Sequence, residues 1–338
     1  MEYRQFGQTG LRVSAIGFGC WEIGGTYGRI DESHFAEAVH RAVAYGINCF
    51  DTAEAYGMGI SERALARALG GRRKDVVVVT KGGVGYPDAP NRRDSTRHRL
   101  TAALDNSLKN LGTDHVDVYL VHWPDVNTPF EETMRALDDA VRHGKTRYVG
   151  VSNFRLSQLD ECTAVRRIDV VQYGWNMFDR RMQREIFPWC QSHGVGVMAY
   201  GSLAYGLLSG TFHAGMTFDE TDWRAKRGTL GTLNLFRTMF GPDYFGRNLA
   251  AVDELKGIAA RHGKTLPQLA LGWTMSNQTV STSLVGFRRP EEVEENLGAL
   301  GWKLSAEELA EIDAIFARHH AVTEPEGWLE DDQPAAAR

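Results

Sequence analysis

Four side chains of the kind that move protons stand at Asp51, Tyr56, Lys81 and His122. Asp51, Lys81 and His122 each close a short apolar run, and Tyr56 follows in the segment Asp51-Thr-Ala-Glu-Ala-Tyr-Gly57. Ser152 with Asn153, Gln172 and Tyr200 stand at or near the ends of three later runs. One polar residue at a strand end is ordinary punctuation. A series that includes Asp, Lys and His asks for a common destination. A lysine facing into a protein needs a counter-ion, and Asp51 can supply it. A tyrosine beside that lysine is expected to have its pKa lowered from about 10, because a cation favours phenolate. That would make Tyr56 a general acid near neutral pH. His122 would donate a second hydrogen bond to the substrate oxygen as charge develops there. Taken singly, the same residues also read as a core histidine and a structural ion pair; their recurrence argues for a site.

To bring these groups together the fold must gather strand ends. The apolar runs fall at 15–19, 47–51, 75–81, 116–122, 147–152, 170–173, 195–200 and 281–286. Short and almost continuously apolar, they read as parallel strands buried on both faces. Between them, Leu100, Leu104, Leu108 and Leu111 form one stripe, and Phe130, Met134, Leu137 and Val141 another. Each stripe predicts a helix packed on a sheet. Thr265-Leu-Pro-Gln268 and Ser305-Ala-Glu-Glu308 have capping-box spacing and predict helix starts.

Strand–helix alternation of this kind predicts an α/β fold, a single (β/α)8 TIM barrel whose strand ends converge on one face. A doubly wound open sheet is the alternative arrangement. Upstream, residues 3–7 and 11–14 flank the turn Gln8-Thr9-Gly10 and predict an N-terminal β-hairpin that plugs the barrel bottom. Residues 210–247 are aromatic and glycine-containing, and a loop of that length predicts a lid or binding loop at the C-terminal face. The barrel domain is expected over 1–317, with 318–338 as a C-terminal tail, partly disordered.

Composition narrows the function classes. The chain has 338 residues, 43% apolar and 24% charged, with a formal net charge of −5. That balance opposes a nucleic-acid footprint. Cys20, Cys49, Cys162 and Cys190 are dispersed without a CxxC pair, which predicts free thiols and no metal site. The N-terminus lacks the apolar core of a signal peptide, and no run approaches the roughly 20 apolar residues of a membrane span. A cytoplasmic protein, either a monomer or a small homo-oligomer, is expected. The common dinucleotide fingerprint is also missing: Gly17-Phe-Gly-Cys-Trp-Glu22 breaks it at the last position, and Gly194-Val-Gly-Val-Met-Ala199 reads as a strand.

The chain resembles the aldo-keto reductase superfamily, from the hairpin to about Phe316. The carrying motifs are Gly17-Phe-Gly-Cys-Trp21, Phe50-Asp-Thr-Ala-Glu-Ala-Tyr-Gly57, Val79-Thr-Lys81, Leu120-Val-His-Trp-Pro-Asp125, Gly150-Val-Ser-Asn-Phe154, Val171-Gln172 and Gly286-Phe-Arg-Arg-Pro-Glu-Glu-Val-Glu-Glu-Asn296. The look is that of bacterial members with the His-Trp-Pro-Asp form, linked to inositol or sugar catabolism. The resemblance implies an NADPH-dependent oxidoreductase. It would reduce an aldehyde or ketone, such as a sugar, cyclitol or other hydroxylated or bulky carbonyl, to an alcohol by hydride transfer. Tyr56 is the implied proton donor, with Asp51 and Lys81 tuning it and His122 orienting the carbonyl. Trp21, Tyr56, His122 and Trp123 are implied to line the substrate pocket.

Cofactor contacts are implied for Gly19, Cys20, Trp21 and Asp51 at the first strand ends. Ser152, Asn153 and Gln172 would hold the nicotinamide carboxamide, and Tyr200 would stack on its ring, followed by Gly201, Ser202 and Leu203. Gly286, Arg288, Arg289, Glu295 and Asn296 would meet the adenosine end. Amides at the helix start after Pro290 favour an anion, so Arg288 or Arg289 is expected to meet a 2′-phosphate. Two positions depart from the family's pattern. Gly206-Leu-Leu-Ser-Gly-Thr211 ends in threonine where the family carries a lysine near the pyrophosphate, which leaves Arg224 or Arg227 to replace it. Glu292 stands where many NADP-binding members carry Arg or Gln, and is spaced to pair with Arg288; NADH is therefore expected as a weaker alternative. The rival reading is a cofactor-binding regulatory module like the potassium-channel β subunits, which share this barrel.

Overall fold

Two short strands open the chain. β1 (Tyr3–Gln5) and β2 (Arg12–Ser14) pair antiparallel, with Tyr3 opposite Ser14. Next come β3 (Ile16–Gly19), β4 (Cys49–Asp51), β5 (Val77–Gly82), β6 (Val116–Val121) and β7 (Thr146–Ser152), then β8 (Val170–Gly174), β9 (Gly196–Tyr200) and β10 (Val280–Gly286). In the computed structural model, which describes residues 1–25, 27–28, 30–85, 92–220, 222–226 and 234–325, these eight close into a barrel. Its order is β10-β3-β4-β5-β6-β7-β8-β9, and neighbours pair in parallel. Every residue of β4, β5, β6 and β8 is buried, as the unbroken apolar runs required.

The strands split their side chains between two cores. Cys49, Val77, Val79, Val118, Leu120, Val170, Met198 and Leu284 form an inner cluster, and Phe6 and Val13 from the hairpin join it. The hairpin is therefore the floor of the barrel. Gly7 at its turn has φ +60°, and a Cβ there would lie 2.3 Å from the Gly196 nitrogen, so only glycine allows this approach. The Gln8 amide donates to Gly194 O at 3.0 Å, and the Tyr148 hydroxyl donates to Thr9 O.

The outer core lies between strands and helices. Helix Arg97–Leu111 buries its full leucine stripe, and helix Phe130–Arg142 buries Phe130, Met134 and Leu137, leaving Val141 half-buried. Both capping boxes form: Thr265 opens helix Leu266–Ser276 and Ser305 opens helix Ala306–Arg318, each with reciprocal side-chain bonds. The region expected to be one long loop is partly helical. It holds a helix at Asn234–Phe240, and helix Pro242–Arg261 begins within it, with proline in the first turn where no amide bond is lost. At the other end, Arg180 N donates to Thr323 O at 2.7 Å, which ties the start of the tail to the barrel. The remainder of the tail, 326–338, lies outside the described residues. No described helix is long and apolar enough to cross a membrane.

Candidate active site and dinucleotide groove

The register of β4 on β5 places Asp51 opposite Val79, so Lys81 is the next residue on the same face of β5. Lys81 is completely buried and Asp51 is 4% exposed. The Lys81 ammonium donates to Asp51 Oδ2 at 2.8 Å, to Thr52 O at 2.8 Å and to the Tyr56 hydroxyl oxygen at 3.2 Å. The second carboxylate oxygen of Asp51 accepts from Gln172 Nε2 at 2.7 Å, across the barrel from β8. Tyr56 is carried there by a tight turn in which its amide donates to Ala53 O at 3.1 Å. His122 follows β6, and its ring stands 5.6 Å from that of Tyr56 at an interplanar angle of 78°.

The electrostatics revise one expectation. Burial, reinforced by the charge of Asp51, pushes the Tyr56 phenol well above its ordinary range instead of lowering it. The phenol thus keeps its proton through neutral pH. Lys81 uses an N–H on the phenol oxygen, so the phenol proton is free to point elsewhere. Burial pushes the Lys81 ammonium down and the Asp51 carboxyl up, and each charge opposes the shift of the other. Burial and then the Lys81 charge push His122 well below its usual value, which leaves the imidazole neutral. Its Nδ1 is buried with no hydrogen-bond partner among the described residues, unlike a satisfied core histidine.

These groups open into a cavity of about 1340 Å³. Its wall includes Gly19, Trp21, Asp51, Tyr56, His122, Trp123, Ser152, Asn153, Gln172, Tyr200, Gly201, Ser202 and Leu203. At the far end it includes Gly286, Arg288, Arg289, Glu295 and Asn296. Cys20, the other residue expected at this end of the groove, is fully buried and is not part of the cavity wall. The three residues expected to hold a carboxamide already have partners. Ser152 Oγ donates to Gln172 O at 2.9 Å, Asn153 Nδ2 donates to His122 O at 3.1 Å, and Asn153 Oδ1 accepts from the Tyr200 hydroxyl at 2.9 Å. Gln172, as above, spends its amide on Asp51.

Past β9 the chain makes a turn that sequence reasoning missed. Ala204 and Tyr205 have φ +47° and +55°, conformations that cost non-glycine residues on the order of 1–3 kcal/mol each. Tyr205 is held there by aromatic packing on Trp21, Trp223 and Phe236. Residues 222–224 form a strap across this wall: Tyr27 bridges to Asp222, and Trp223 stacks on Trp21 with centroids 6.2 Å apart. Arg224 lines the cavity, but its guanidinium is paired with Asp222 at 2.5 Å and donates to Tyr205 O at 3.0 Å. Arg227, the other suggested replacement for the missing lysine, lies outside the described residues.

Glu292 does not pair with Arg288 through side chains. Its carboxylate accepts the Arg288 amide at 2.7 Å and the Arg289 amide at 3.3 Å, and pairs with the Arg289 guanidinium at 3.2 Å. The Arg288 guanidinium is left with Tyr27 O at 3.3 Å and no ion pair among the described residues. An unpaired guanidinium at one end of a long groove, and an unpartnered imidazole beside a buried Lys–Asp pair at the other, fit an elongated anionic ligand. The volume exceeds the roughly 300–1,000 Å³ of an ordinary small-molecule pocket and suits a dinucleotide with substrate beside it.

Comparison with known proteins gives the same answer from another direction. The model of the Aldo/keto reductase family matches residues 15–317. The chain is 34% identical over 331 residues to the aldo-keto reductase YhdN of Bacillus subtilis, covering 97% of this chain and 96% of that protein. It is 33% identical over 310 residues to a probable voltage-gated potassium channel subunit beta of Arabidopsis thaliana, covering 89% and 91%. Among solved structures, a glycerol dehydrogenase from Gluconobacter oxydans superposes with a TM-score of 0.83 at 31% identity, covering 97% and 99%.

Proposed function

The chain belongs to the aldo/keto reductase family, whose members are nicotinamide-dependent oxidoreductases acting on carbonyl groups, and on that premise we propose an NADPH-dependent reductase of hydroxylated aldehydes or ketones with Tyr56 as its acid. The observation that carries this reading is the contact of the Tyr56 hydroxyl with a buried Lys81–Asp51 pair.

When bound, the nicotinamide supplies the hydride. The remaining work belongs to this chain. Reduction turns the carbonyl oxygen into an alkoxide, which must be protonated as it forms. Tyr56 holds its proton at neutral pH and, with its oxygen already accepting from Lys81, directs that proton toward the cavity. Once the proton leaves, the phenolate sits 3.2 Å from an ammonium that stabilises it. The role of Lys81 is therefore to receive the product of proton transfer. Neutral His122 adds a donor to the carbonyl oxygen without competing as a stronger acid. Trp21 and Trp123 flank these residues and offer flat apolar walls to a carbon skeleton. Tyr200 presents an aromatic face for the nicotinamide. Arg288, with no carboxylate partner among the described residues, supports NADPH over NADH. Asn153 and Gln172 would exchange their present partners for the carboxamide.

A purely regulatory module needs no protonated phenol against a buried cation. Purified protein should oxidise NADPH with 4-nitrobenzaldehyde and with hydroxylated aldehydes, and do so more slowly with NADH. Tight NADPH binding without turnover across such a panel would favour the regulatory reading.

A further inference from the structure

Glu22 was absent from every sequence-based assignment, yet it occupies the groove. It follows Trp21 in a single 3-10 turn, Glu22–Gly24, at the carboxyl end of β3. Its side chain reaches sideways over the end of β10, so that a Cβ on Gly286 would lie 1.7 Å from its Oε1. The carboxyl group is half-buried and lines the cavity together with Gly286 and Arg288. Among the described residues it forms no ion pair and accepts no hydrogen bond from another side chain. A carboxyl group whose hydrogen bond comes from its own backbone amide thus stands on the wall of a groove proposed to take an anionic dinucleotide.

We infer that Glu22 is the residue of the dinucleotide groove that takes up a proton when the diphosphate binds. The inference rests on the proposal that the groove takes a nicotinamide dinucleotide. Its basis is charge placement. An anion brought along Gly286 meets an acidic neighbour, and Thr211 on the same cavity wall carries no charge to offset it. The groups facing Glu22 do not neutralise it. Arg288 and Arg224 attract it, but Arg224 is committed to Asp222 and Arg288 makes no contact with it short enough to be an ion pair. Glu292 repels it. Tyr27, Tyr56 and Cys20 sense its charge and are themselves held protonated by burial. Desolvation against these walls pushes the Glu22 carboxyl up to about 7 in the free protein. Near neutrality it is therefore divided between its two forms, and an arriving anion favours the protonated one.

The sign follows from linkage. If the complex holds a proton that the free protein has lost, affinity falls as pH rises above the free-state value. The limit is about tenfold per pH unit for one proton. NADH is the probe, because its diphosphate does not titrate between pH 6 and 8 and it carries no 2′-phosphate. Titration calorimetry at pH 7 in two buffers of different ionisation enthalpy should show uptake of about half a proton per site. NADH affinity should weaken several-fold to about tenfold from pH 6 to pH 8. Glu22→Gln should bind NADH at pH 8 at least as tightly as the parent, with no proton uptake and a flat pH dependence. His34→Gln serves as the control, since His34 lines the same cavity. Proton uptake that persists in Glu22→Gln, disappears in His34→Gln, or has the opposite sign would overturn the inference. Binding with no pH dependence would overturn it alone, whereas failure to bind any dinucleotide at any pH would remove the functional proposal with it.

Discussion

Replacing Lys81 by methionine isolates the energetics on which the site depends. The ammonium is fully buried and lies 2.8 Å from an Asp51 oxygen that is itself almost wholly buried. At an effective dielectric constant near 20, attraction at that separation is about 6 kcal/mol, offset by the desolvation of both groups. Breaking such a pair from one side characteristically costs about 3–5 kcal/mol, because the other charge is left buried. Lys81→Met should therefore lower the unfolding free energy by about that amount at pH 7, with Gln172 as the remaining partner of Asp51. The loss should depend on pH in a definite sense. Without Lys81, the folded-state pKa of Asp51 lies further above its unfolded value of about 3.9. In the window between those two values the folded form binds more protons than the unfolded form. Stability then falls as pH rises through the window and recovers as pH drops. The double variant Asp51→Asn/Lys81→Met has no stranded charge and should regain much of the loss at pH 7. Urea unfolding followed by tryptophan fluorescence at pH 7 and pH 5, on all three proteins, measures each quantity. A Lys81→Met loss below about 1 kcal/mol, or one equal at both pH values with no rescue in the double variant, would refute the buried-pair argument.

Gly150→Ala should be poorly tolerated, because a Cβ there would lie 1.7 Å from Val170 O on the paired strand; a loss of about 1–3 kcal/mol or more in urea unfolding is expected. Thr265→Ala removes the side-chain acceptor for the Gln268 amide and should lower stability by about 1 kcal/mol. Arg288→Ala should weaken NADPH binding roughly ten- to a hundred-fold, the value of one charge-assisted bond to phosphate, and leave NADH nearly unchanged. Fluorescence titration of both cofactors decides this, and equal losses for the two would make Arg288 structural.

The barrel was legible because its strands are buried on both faces along most of their length, four of them along all of it. Runs such as 116–122 and 170–173 needed no neighbours to be recognised, and the structure moves their ends by only a residue or so. The convergence of Asp51, Lys81 and His122 was legible for a related reason: a closed parallel barrel collects every strand's carboxyl end on one face. What escaped depended on distance and not on order along the chain. Spacing allowed Glu292 to pair with Arg288, but its carboxylate caps two amides and takes Arg289 instead. Proximity to Lys81 suggested an acidified phenol, but the depth of burial reverses the direction. Glu22 entered only as the residue that breaks a glycine fingerprint, since nothing near it in sequence reveals that it lies over Gly286. The left-handed pair Ala204–Tyr205 carries no glycine signal at its own positions and is held by aromatic residues, one of them far back at Trp21.

The central claim is that Tyr56 delivers the proton during carbonyl reduction, and single-turnover hydride transfer in Tyr56→Phe tests it most directly. The ring of phenylalanine keeps the packing against Trp21 and His122 while the hydroxyl is lost. Enzyme preloaded with NADPH and mixed with saturating aldehyde reports the chemical step free of slow cofactor release. The account predicts NADPH affinity within a few-fold of the parent and a hydride-transfer rate lower by roughly 10²–10⁴. A folded, cofactor-binding Tyr56→Phe protein that retained more than about a tenth of the parent rate would contradict it.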